Sequence, residues 1–259
     1  MKKLMVAVAL LMPAVASAQV SIDGTWKIDV ASAKFPEKPD QLVLKDGRYT
    51  CSTCVPTIDV KADGTDQQVT GSKYLDTIAV TIVDDHTVRS SSKKDGKVVA
   101  ESTSTVGSDG TMLTEEFTTF PPAGEPVKGK IVSQRVAKGP VGSHALSGSW
   151  RTTKAAEFSD SGLTVTFKST ADGLSMSAPT GESYEAKFDG KDYPVKGDPG
   201  ASVVSLKRID ERTIEETMKR DNKVIRVARM TLSPDGQTLN FVSDDKERGT
   251  TMTFAAKKQ

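Results

Sequence analysis

Histidine is almost missing from this 259-residue chain, where only His86 and His144 occur. His86 falls in a turn and His144 in a Gly/Pro/Ser segment. Neither stands on an apolar face, so the positioned imidazole that a Ser-His-Asp triad needs has no candidate. Cysteine is equally scarce, with Cys51 and Cys54 alone. Aromatic residues make up 5% of the chain, too few for a stacked carbohydrate-binding surface. No glycine-rich loop follows a strand and opens a helix, which removes the usual nucleotide-binding frames and any cofactor they would hold. Asp63-Gly64 and similar pairs lack calcium-loop spacing. A charge excess is also missing. Without Lys2 and Lys3, the 35 basic residues nearly balance the 34 acidic ones, which argues against nucleic acid or an anionic membrane as the chief partner. No segment carries a sustained 3.6-residue period. Only short helical turns near 31–35 or 155–158 are expected.

What is present begins with a secretory pattern over residues 1–18. Lys2 and Lys3 precede the apolar run Leu4–Val15, which is too short to span a bilayer, and Ala16-Ser17-Ala18 supplies small residues for cleavage. The expectation is a periplasmic or secreted chain of bacterial style, with no membrane-spanning segment once the signal is removed.

The remaining sequence repeats itself. Gly24-Thr25-Trp26 returns as Gly148-Ser149-Trp150. Lys61–Leu113 lies without a gap on Lys187–Leu239 at a constant offset of 126. Matches such as Asp63/Asp189, Gly64/Gly190 and Gly110/Gly236 are turn formers. A period this long marks a duplicated domain. The expected organisation is one domain over 19–138, a linker over 139–145 and a second domain over 146–259.

Within each copy the pattern is period two. Segments 201–209, 213–219, 223–233, 238–243 and 250–256 alternate apolar and polar residues between turn signals, as strands with one buried face do. Nine or ten short strands per copy predict an all-β fold of two tandem antiparallel up-and-down barrels, since closure removes exposed edges. Two β-sandwiches, or one barrel shared by both copies, are the alternatives. Lys93–Lys97 and Lys219–Lys223 suit three-residue hairpins, with Gly96 and Asn222 at a left-handed position. That loop would set Met218 against Val224, Glu216 against Arg226 and Ile214 against Ala228.

The Gly-x-Trp start of each copy, Phe35 after the first, Lys-x-Asp-Gly at 187–190 and Ser233-Pro234-Asp235-Gly236 resemble the lipocalin-like domains of bacterial secreted proteins in the calycin superfamily. The likeness covers nearly the whole mature chain, twice over. It implies a barrel that encloses a small hydrophobic or amphipathic molecule, and an Arg from the last strand set against the first-strand Trp. Arg135 stands in that place in the first copy and Ala255 near it in the second.

Two constellations carry chemistry. Cys51-Ser52-Thr53-Cys54 occurs in the first copy alone. It reads as a disulfide suited to an oxidising compartment, as a soft two-thiolate metal site, or as a redox pair. The second is in copy two. The parity that buries Val204, Leu206, Ile214, Met218, Val224, Ala228, Met230, Leu232 and Phe241 also turns Arg208, Glu216 and Arg226 inward. Such charges would either anchor a ligand head group, with Met218 and Phe241 as the apolar wall, or pair with each other. These residues make a non-enzymatic carrier with copy two as the binder the first expectation. An envelope interaction module using the 117–130 loop is the second, and a thiol or metal role at Cys51–Cys54 the third. Were the chain an enzyme, Glu216 would be its acid/base.

Overall fold

The computed structural model describes residues 21–259, so the expected signal segment lies outside the described residues. The alternating pattern folds as strands throughout. Ten precede the loop at 139–147: β1 Gly24–Lys34, β2 Asp40–Lys45, β3 Arg48–Cys51, β4 Ile58–Lys61, β5 Gln67–Gln68, β6 Thr77–Ile82, β7 Thr87–Lys94, β8 Lys97–Val106, β9 Met112–Thr119 and β10 Val127–Lys138. After it come β11 Gly148–Phe158, the one-turn helix α1 Asp160–Leu163, β12 Thr164–Ser169, β13 Gly173–Ser177, β14 Ser183–Lys187 and β15 Tyr193–Pro194. The chain ends with β16 Val203–Arg208, β17 Thr213–Arg220, β18 Lys223–Leu232, β19 Thr238–Asp245 and β20 Thr250–Lys258. Residues 31–34 and 155–158, expected as helical turns, belong to long strands instead.

The strands form two ten-stranded antiparallel sheets, each curled into a nearly closed barrel around its own core. Single bridges, Asp63 to Thr81 and Ser183 to Lys196, link the ends of each sheet.

The strand order overturns the assignment of one continuous repeat to each barrel. The first sheet runs β4-β3-β2-β11-β10-β9-β8-β7-β6-β5, and the second β14-β13-β12-β1-β20-β19-β18-β17-β16-β15. Each Gly-x-Trp strand has crossed to the other copy. The cause is local. Residues 139–147 form a hairpin loop and not a free linker: Gly139 N–H donates to the Ser147 carbonyl, and His144 N–H to that of Leu44. A short connection pairs consecutive strands, so β11 turns back onto β10 with Trp150 opposite Arg135. That leaves β1 to close the second barrel between β12 and β20, with Trp26 opposite Lys258. The first barrel is therefore the continuous stretch 40–158, whereas the second joins the two ends of the chain.

The hairpins also differ from expectation. Asp95-Gly96 and Asp221-Asn222 are two-residue turns, with φ of 50° and 75°, and 49° and 62°. Paired left-handed residues of this kind match the twist of the strands. The displaced residue reappears as a bulge, so Met218 faces Arg226, Glu216 faces Ala228 and Ile214 faces Met230. Past the bulge Val224 is exposed, and Ile225 takes the buried place expected of it.

Candidate functional site

The floor of each barrel is built the same way. Trp26 and Trp150 are fully enclosed, and each indole N–H donates to a carbonyl four residues earlier, that of Ile22 or Leu146, at 2.8 Å. The Arg135 guanidinium lies 4.0 Å from the centre of the Trp150 ring. It donates to the carbonyls of Gly110, Ala145 and Ser147, pinning the loop under the barrel. Arg135 thus serves the tryptophan of the other copy. On Trp26 the cation is Lys258, at 5.5 Å, and not a residue near Ala255.

Inside the second barrel the inward charges divide. Glu216 is buried, accepts from the Tyr184 hydroxyl at 2.7 Å and pairs with Arg226 at 2.8 Å. Burial, and then the neighbouring carboxylate, hold the Tyr184 phenol well above its usual range. Arg226 is partly exposed at the rim and its Nε has no partner. Arg208 does not join them. It is exposed at the far end of β16, stacks on Phe188 at 4.5 Å and, with Ile22, Leu174 and Ile214, borders a separate hollow of about 510 Å³ at that end of the second barrel. Met218 packs on the core near the rim, and Phe241 stacks on Phe254 with centroids 4.7 Å apart. The expected three-charge cluster is therefore an ion pair, a phenol and packed side chains.

The first barrel is different. A cavity of about 210 Å³ lies inside it, walled by Ile78, Val80, Val88, Leu113 and Ile131 and floored by Leu146 and Trp150. Ser90, Ser102, Ser104, Ser133, Thr152, Tyr49 and Glu115 supply its polar surface. Glu115 sits on β9 between Ser104 and Ile131 on the flanking strands. Burial, and then the charge of Asp40, push its carboxyl pKa up, while a hydrogen bond with Ser102 opposes them. The enclosed Tyr49 phenol is pushed up by burial and by Glu115 and Asp40.

Asp40 stands at the mouth, where this cavity meets a second hollow of about 440 Å³ between the barrels. Three parts of the chain converge there. Cys51 and Cys54 form a disulfide, and the loop it closes directs the Thr53 hydroxyl to Asp40 at 3.2 Å. Arg248, on the β19–β20 hairpin of the second barrel, makes an ion pair with Asp40. The Asp245 carboxylate holds that hairpin by accepting from the N–H groups of Glu247 and Arg248, both at 2.9 Å. Lys38 donates to the Arg248 carbonyl at 2.8 Å.

A larger hollow, about 1100 Å³, is an open trough along β6 to β11 of the first barrel. Its lysines include Lys93 and Lys130, already paired with Asp66 and Glu116 at 2.7 and 2.8 Å. The 120–126 loop packs on the second barrel, where Glu125 N–H donates to the Pro179 carbonyl at 2.9 Å. His86 and His144 are held by backbone groups in turns: Nδ1 of His86 lies 3.2 Å from the Val106 carbonyl, and Nε2 of His144 lies 2.7 Å from that of Asp84. Among the described residues no cluster of three or more His, Cys, Asp or Glu side chains is placed to hold a metal, and no helix is long and apolar enough to cross a membrane.

The candidate site thus lies in the barrel where sequence reasoning did not seek it, at Glu115, Tyr49, Asp40 and Arg248. A signal was available. At the offset of 126, Ser104 and Glu115 align with Met230 and Phe241, so the inward face of copy one turns polar where that of copy two is apolar. Comparison of the chain with protein-family models, with characterised proteins and with solved structures finds no match.

Proposed function

We propose that this protein is a non-enzymatic carrier that encloses a small amphipathic molecule in its first barrel. The supporting observation is the cavity of about 210 Å³ at the level of Ser104 and Glu115, where the second barrel is filled by Met230 and Phe241. An apolar body seated against Val80, Val88 and Leu113 gains about 25 cal/mol per Å² removed from water. One or two polar contacts then choose its orientation. The second barrel, with its Glu216–Arg226 ion pair and the Arg248 hairpin, acts as the lid-bearing partner. The secretory pattern at the start of the chain fits a carrier working outside the cytoplasm.

Native mass spectrometry on protein isolated from its own compartment tests this. The wild type should retain a bound small mass. The Ser104→Met, Glu115→Phe double variant, which copies the second barrel, should retain none. A wild-type chain that is always empty, and takes up no amphiphile offered to it, would contradict the reading.

A further inference from the structure

The charge of the occupant can be read from the contrast between the two interiors. In the second barrel the buried carboxylate of Glu216 is met by the Arg226 guanidinium at 2.8 Å and the Tyr184 hydroxyl at 2.7 Å. In the first barrel Glu115 has no such cation. Among the residues that line its cavity the single cation is Arg248, and that guanidinium is engaged by Asp40 at the mouth. The remaining polar groups are the hydroxyls of Tyr49, Ser90, Ser102, Ser104, Ser133 and Thr152, each able to accept as well as donate.

An anionic head group would therefore face Glu115 and Asp40 with no free cation to receive it. A protonated amine would meet a carboxylate that has no cation partner of its own, in a partly enclosed space where a charge-assisted hydrogen bond is stronger than in water. The second barrel supplies the precedent within the same molecule, since there the chain itself puts a cation on its enclosed carboxylate.

We propose that the first barrel takes a small organic cation, an ammonium group on an apolar body, with Glu115 as the inner anchor and the Asp40–Arg248 pair closing the mouth behind it. This rests on the carrier reading above and names its ligand class. Arg248 holds the outer cation position and the ligand's ammonium the inner one.

The experiment titrates the full mature chain, near neutral pH and at low salt, with three probes of one shape: benzylammonium, benzyl alcohol and benzoate. Benzylammonium should bind at least about tenfold tighter than benzyl alcohol, the scale of one charge-assisted contact, and benzoate should bind most weakly. In Glu115→Gln the preference for benzylammonium over benzyl alcohol should vanish. Equal or tighter binding of benzyl alcohol or benzoate would overturn the cation proposal and leave the carrier reading standing. So would a preference that survives in Glu115→Gln. Failure of all three probes to bind would overturn both.

Discussion

Where the second barrel stacks Met230, Phe241 and Phe254 across neighbouring strands, the first carries Ser104, Glu115 and Ile131. One strand further round, the pair Glu216 and Ala228 on β17 and β18 answers to Ser90 and Ser102 on β7 and β8. The frame is shared: the same turns, the same tryptophan floor, the same ten-strand meander. The fillings are opposite. Serine removes volume and leaves hydroxyls facing inward. Methionine and phenylalanine fill that volume, and the one acid left inside the second barrel carries its own guanidinium. A duplicated barrel frame can thus be filled at this level in one interior and left open there in the other.

The sharpest way to break this comparison uses the exchanged strands. Truncating a fully enclosed tryptophan costs about 3–5 kcal/mol. Trp26→Ala should destabilise the barrel made from 164–258, although Trp26 belongs to the first repeat. Trp150→Ala should destabilise 40–158. Hydrogen exchange read by mass spectrometry would assign the loss. Losses confined to each tryptophan's own repeat would mean that the strands close on their own copies.

The next effect concerns the filled interior. Arg226→Ala strands the Glu216 carboxylate and should cost about 2–3 kcal/mol, less than for a fully buried pair because Arg226 is partly in water. Denaturant unfolding of the second barrel should show it. The equivalent change in the first barrel, Ala100→Arg, has no Glu216 to meet, so it should give no matching gain.

Reducing the Cys51–Cys54 disulfide should matter less. Its loop is so short that the chain-entropy argument allows at most about 2 kcal/mol. The larger consequence should be for binding, because Thr53 would no longer be fixed against Asp40. A Cys51→Ser variant that loses stability but keeps full affinity for the probes would remove the disulfide loop from the site.

The smallest effect is a pH dependence carried by Glu115. Glu115 has its folded-state pKa raised, chiefly by burial. The folded state then holds that proton more tightly than the unfolded chain does. Glu115 therefore costs no stability below its unfolded pKa, and its penalty grows as pH rises through the folded value. Glu115→Gln should raise the denaturation midpoint of the first barrel at neutral pH and leave it unchanged in acid. A gain independent of pH would assign the effect to packing instead of charge.

Much of this architecture could be read from residues in order. Period-two alternation and turn chemistry at Asp95-Gly96 and Pro234-Asp235-Gly236 mark the strands, and the repeat marks two barrels. The exchange of β1 and β11 was not legible, because Gly24-Thr25-Trp26 and Gly148-Ser149-Trp150 are nearly interchangeable and only the geometry of the 139–147 hairpin decides between them. Arg208 was read as inward by parity, yet at a strand end a long side chain can lie across Phe188 and leave its charge in water. Val224 was misassigned by a single bulge, which flips every side chain beyond it. The pairing of Glu216 with Arg226 survives that shift because diagonal neighbours on one face remain within reach of long side chains. The site was hidden for a different reason: serines and one glutamate at inward positions resemble solvent-facing residues until the copies are laid side by side.

That the first barrel is open at the level of Ser104 and Glu115, where the second is filled by Met230 and Phe241, has a direct test in methyl-resolved NMR of the mature chain titrated with benzyl alcohol. Saturable shifts are expected at Ile78, Val80, Val88 and Leu113, with Val204, Leu206 and Met230 unmoved. Shifts confined to the second group, or spread equally over both, would contradict it.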